Sequence, residues 1–162
     1  MRCFLVSCAL ILFAASVSHA FEVDGLKSGI SMNEAKRLLE SQSYKKIEIK
    51  DNSIVAFDQS GSDGRFIALS FCKGKLVQAQ KHLKPRFDYF VRLVNEKRRE
   101  LGKPADAWTV PTDVVSNVES NSVAFLWRDG ETFIKVTYTE FGSNNQLDIL
   151  YEIKNACWQV PY

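Results

Sequence analysis

The sequence predicts an α+β fold, with two helices layered on one face of antiparallel β-sheet in the order helix, hairpins, helix, hairpins. Three observations carry this. Apolar stripes at helical spacing occur twice, after Ser31 and after Pro85. Alternation of period two fills the stretches that follow each stripe, and turn dipeptides separate the alternating runs. Because the order repeats, the chain also reads as a degenerate tandem repeat, one domain over 21–162 with halves of about 29–82 and 83–157.

Residues 1–20, MRCFLVSCALILFAASVSHA, have a basic start at Arg2, an apolar run through Val17 and small residues at Ser18 and Ala20. That is the composition of a secretory signal peptide cleaved before Phe21, and it implies a secreted or periplasmic protein with no transmembrane segment in the mature chain. A membrane anchor needs about 20 apolar residues without a cleavage site. Leu5 to Cys8 superficially matches a lipoprotein box, but the apolar run lies mostly after Cys8, which argues against lipid anchoring.

The first helix opens at Ser31, an N-cap, with Glu34 three residues on as the second half of a capping box. Ala35, Leu38 and Leu39 recur at helical spacing, so the helix runs to about Ser43. Short strands follow at Lys46–Lys50 and Ile54–Asp58 around an Asp51-Asn52 turn, and 59–64 is turn chemistry. In Arg65 to Gln80, Ile67, Leu69 and Phe71 share a face with Val77 and Ala79 only if an odd number of residues makes the turn. This predicts a three-residue loop, Cys72, Lys73 and Gly74, with the glycine left-handed.

Pro85 suits the first turn of a second helix, and Gly102 with Pro104 marks its stop. Phe87, Phe90, Val91, Val94 and Leu101 form its expected buried stripe. Residues 103–121 read as an ordered connector that carries Trp108 and several valines against the body. Val123, Phe125 and Trp127 then alternate up to an Asp129-Gly130 turn, which sets Arg128 opposite Glu131. Ile134, Val136 and Tyr138 alternate away from it, and Leu147, Ile149, Tyr151 and Ile153 line the same face of a third strand. The other face carries Ala124, Leu126, Phe133 and Leu150 among charges, the make-up of a protein-binding surface with apolar anchors inside a polar rim. Leu126, Phe133 and Leu150 are therefore candidate binding residues, unless the connector packs over them.

Without its leader the chain keeps two of its four cysteines, Cys72 and Cys157, and in an exported protein these are expected to form one disulfide. A redox-active or metal-binding role lacks a CxxC and a histidine cluster, so no metal and no cofactor is expected. Lys73 to Lys103 holds ten basic and three acidic residues. Lys97, Arg98 and Arg99 make this stretch a candidate patch for anionic lipid, polysaccharide or an acidic partner, or else a solvated helix face. Nothing resembles a nucleic-acid-binding motif. His82 is the single histidine of the mature chain, and no nucleophile elbow, phosphate loop or dinucleotide signature accompanies it. Glu96 and Glu100 are not singled out as a carboxylate pair, so no catalytic residue is assigned.

Three short stretches give a family resemblance: Gly29-Ile30-Ser31 with Glu34-Ala35 and Leu38-Leu39, Phe71-Cys72-Lys73-Gly74-Lys75-Leu76, and Leu101-Gly102-Lys103-Pro104. On these the chain resembles the β-lactamase-inhibitor-protein and BamE-like group of exported α+β domains. The resemblance implies a non-enzymatic module that binds a protein partner with an uncovered sheet face, as an inhibitor or an envelope-assembly accessory. The chain departs from the group in lacking the lipoprotein cysteine of BamE-type proteins, and in opening its second helix with Lys84-Pro85 rather than another Gly-x-Ser.

Overall fold

The computed structural model describes residues 20–42, 44–58, 65–114, 118–142 and 144–161, so the expected leader lies outside the described residues apart from Ala20. So does the expected turn at 59–64. The elements run β1 (Glu22–Val23), β2 (Leu26–Lys27), α1 (Met32–Ser41), β3 (Tyr44–Lys50), β4 (Ser53–Asp58), β5 (Phe66–Cys72) and β6 (Lys75–Leu83). They continue with α2 (Phe87–Leu101), β7 (Asp106–Val114), β8 (Val118–Asp129), β9 (Thr132–Phe141) and β10 (Asn144–Ile153). The fold is α+β, with an eight-stranded antiparallel sheet in the order β3-β4-β5-β6-β10-β9-β8-β7 and a separate β1-β2 ribbon. Neither helix is long and apolar enough to cross a membrane. Every neighbouring pair in the large sheet is a hairpin except β6 and β10, which meet from Gln78 opposite Glu152 to Leu83 opposite Leu147.

Ser31 caps α1, its Oγ accepting from the Glu34 N–H at 3.2 Å. The chain entering the helix is also stitched to β6: the Gly29 N–H donates to the Leu76 carbonyl at 2.8 Å and the Leu76 N–H to the Ile30 carbonyl at 2.9 Å. Ala35 and Leu39 then bury against Ile54, Ala56, Ile67 and Leu69. The β1-β2 ribbon, which the sequence pattern did not reveal, adds Val23 and Leu26 to this core. Its strands are two residues each, too short to alternate.

The central hairpin reaches the expected pairing by another route. Cys72 pairs with Lys75, so the turn has two residues, Lys73 and Gly74, both at positive φ, and not the three expected. Parity is restored by a β-bulge: Ser70 faces Gln78 while Phe71 faces Leu76, leaving Val77 unpaired. Leu69 still opposes Ala79, but Leu76 takes the place in the core expected for Val77.

In the second half, Phe90, Leu93 and Val94 are the buried residues of α2. Phe87 and Val91 are exposed, contrary to the expected stripe, because the helix turns Leu93 inward in place of Val91. The Trp127 indole N–H donates to the Gly102 carbonyl at 3.1 Å, pinning the end of α2 to the sheet. The β8-β9 turn is Gly130-Glu131, one residue later than expected, with Arg128 opposite Phe133. A shift of one at the turn moves the pairing by two, so every apolar side chain keeps its face. The expected connector over 103–121 is instead mostly strand: β7 pairs with β8 from Asp106 opposite Leu126 to Val114 opposite Val118. Pro111 disguised it, and an edge strand tolerates proline.

Two apolar clusters result. One gathers α1, the ribbon and the β4–β6 residues; the other gathers Phe90, Leu93 and Val94 with Trp127, Ile134, Val136 and Ile149. Leu69, Ala79, Tyr151, Ile134 and Trp127 are successive cross-strand partners from β5 to β8.

Candidate functional site

Leu126, Phe133 and Leu150 lie on the sheet face away from that row, and they are covered: their relative exposures are 2%, 5% and 7%. The Arg128 guanidinium sits over the Phe133 ring at 5.5 Å. Over the same face runs the chain after β10. Cys157 is bonded to Cys72, with Cα atoms 5.7 Å apart, as expected from the sequence. The Trp158 indole N–H donates to Glu152 Oε1 at 2.6 Å, and Pro161 reaches a cleft of about 430 Å³ with Trp108, Leu126 and Arg128. Beneath this strap, Glu152 is 2% exposed and also accepts from Gln78 Nε2 at 3.2 Å. The strap has no periodic pattern; Cys157 was its one legible signal.

The three basic candidates do not form one patch. Arg98 and Arg99 are exposed, whereas Lys97 is half-buried and bonds Glu100 Oε2 at 2.6 Å. Burial alone lowers the Lys97 ammonium's pKa, but the Glu100 hydrogen bond and nearby Tyr151 and Glu96 outweigh it, leaving it above the ordinary lysine range. At the helix start, Arg86 grips Asp88 with two hydrogen bonds of 2.9 and 2.7 Å, and the carboxyl is held below its ordinary range.

His82 lies in a polar cleft of about 460 Å³ at the end of β6, beside Asp24, Tyr44, Asp58, Arg65 and Lys81. The sequence did not disclose its partner: Nδ1 is 2.9 Å from Asp148 Oδ1 on β10, and Phe66 stacks on the ring at 5.0 Å between centroids. Lys81 pairs with Asp24 at 2.8 Å and Arg65 with Asp58 at 3.4 Å. Tyr44 donates to Asp24 at 3.3 Å, and burial, then the Asp24 charge, pushes the phenol far above its ordinary range, so it is a poor nucleophile. No serine or cysteine lines the cleft among the described residues. Lys81 and Arg65 are thus each paired with a carboxylate of the cleft. The described residues hold no group of three or more metal-ligating side chains.

A third cleft, about 380 Å³, opens between the start of α2 and the far ends of β7, β8 and β9, lined by Phe87, Val110, Asn121, Val123, Tyr138 and Glu140. Phe87 is 57% exposed and meets the Tyr138 ring edge-on at 5.4 Å; Val110, on the edge strand, is 42% exposed. Burial, then the Glu140 charge, raises the Tyr138 phenol. Val91 adds a further exposed apolar side chain one helical turn after Phe87. Sequence reasoning missed this site because it treated Phe87 and Val91 as core and β7 as connector.

No protein-family model matches the chain, and no curated protein or solved structure matches it.

Proposed function

We propose that this chain is an exported, non-enzymatic binding module of the inhibitor or envelope-accessory kind, engaging a protein partner at the β7 end of its sheet. The observation that supports it most is the pair of exposed large apolar side chains on α2, Phe87 in the cleft wall and Val91 one helical turn further on. Single exposed apolar residues are ordinary, but a group beside a cleft marks an interaction surface. The residues first expected to anchor the partner are covered, and what the second face offers at this end is the cleft at Trp108, Leu126 and Arg128. Proximity of a basic surface to anionic lipid or polysaccharide is the weaker reading, since Lys97 is engaged by Glu100.

The finer architecture belongs to the same proposal. Both helices pack on one face of the sheet, a reading supported by the cross-strand row that joins Leu69, in the α1 cluster, to Trp127, in the α2 cluster. The halves repeat as helix plus four-stranded meander, with β6 and β10 meeting at the centre.

The test is cross-linked capture from an envelope extract with the oxidised mature protein and its Val91→Asp variant. The expected result is one partner held by the native protein and lost by the variant at unchanged melting temperature. Equal capture by both would sink the proposal.

A further inference from the structure

We propose that the cleft beside α2 takes a basic side chain, an arginine or lysine presented by the protein partner; this rests on the binding-module reading above. The lining combines what a cation on an aliphatic stem requires. Val123 offers an apolar wall for the stem, the exposed Phe87 ring offers aromatic surface, and Glu140 offers the countercharge. Glu140 is exposed and, among the described residues, makes no hydrogen bond or ion pair, unlike the carboxylates of the His82 cleft. Among the described residues, no lysine or arginine lines the cleft.

The alternatives fit less well. An anion meets the Glu140 carboxylate. A neutral apolar group seated here desolvates the Glu140 carboxylate without pairing it, which costs about as much as the apolar contact contributes. The dipole at the start of α2 disfavours a cation and Asp88 there is already paired with Arg86, so Glu140 is the countercharge on which the site depends.

The experiment titrates the oxidised mature protein with acetyl-Val-Arg-Val-amide and with its isosteric, neutral citrulline counterpart, following backbone amides by NMR. The arginine peptide is expected to shift amides of residues 121–123 and 138–140, binding about fivefold more tightly than citrulline. Raising salt from about 0.05 to about 0.5 M should remove that preference, because the carboxylate is exposed. Glu140→Gln should make the two peptides equal while the melting temperature stays unchanged. Equal binding of both peptides to the native protein, a preference that survives Glu140→Gln, or no shift at the cleft at millimolar peptide would each overturn the proposal. A captured partner that is lost by Val91→Asp but retained at full affinity by Glu140→Gln overturns this inference and leaves the binding-module reading intact. Capture unaffected by Val91→Asp removes the module reading instead.

Discussion

Replacing Cys72 and Cys157 together by alanine tests how the strap and the sheet are held. The bond joins positions 85 apart in sequence. Closing a loop of about 86 residues removes about 15 cal/mol/K of entropy from the unfolded chain, so the bond contributes about 4–5 kcal/mol at 25 °C. A domain of this size has a total stability of about 5–15 kcal/mol, so the loss is a large share of it. The strap also loses its tether, keeping short-range contacts such as the Trp158 indole to Glu152 at 2.6 Å and the Asn155 carboxamide to the Cys157 N–H at 2.9 Å. Urea unfolding is the assay. With a slope of about 2 kcal/mol per molar, the midpoint should fall by about 2 M, and tryptic cleavage after Lys154 should quicken in native buffer. A stability loss under about 1 kcal/mol, with Lys154 as protected as before, would refute both the entropic estimate and the role of the bond as tether.

Two further outcomes follow from burial and from the shifted groups. Phe133→Asp places a carboxylate where the native ring is 5% exposed, so it should cost about 3–5 kcal/mol and lower the melting temperature by about 10 °C; a change within about 2 °C would show that the strap does not cover this face. Alkaline pH should destabilise the fold. Tyr44, Tyr151 and Tyr138 all have folded pKa values raised above the ordinary 10.0, first by burial, so the folded state holds protons that the unfolded state releases. Their contribution is complete below pH 10 and is lost as pH rises through the folded values; Lys97, raised from 10.5, acts in the same sense. Urea midpoints that stay flat from about pH 9 to about pH 11 would contradict this.

Local signals account for what the sequence determined. Ser31 and Glu34 start α1, alternation marks β5, β6, β8, β9 and β10, and the need to keep Leu69 opposite Ala79 set the parity of the central hairpin. Each of these depends on neighbours within a few residues, so the pattern along the chain carries it. Parity could be met by a three-residue loop or by a two-residue turn with a bulge, and only the folded sheet, by burying Leu76 and leaving Val77 unpaired, chose the second. Periodicity records that one side of a strand is buried, not what buries it. Hence Leu126, Phe133 and Leu150 read from the sequence as a candidate surface that a connector could cover, while in the folded chain all three are buried and Pro161, beyond Cys157, reaches the cleft at Leu126. For the same reason Phe87 and Val91 read as core from their spacing, and only the packing of α2, which turns Leu93 inward, left them exposed. The pairing of His82 with Asp148, 66 positions apart, likewise required β6 to meet β10, a long-range choice that no local pattern encodes.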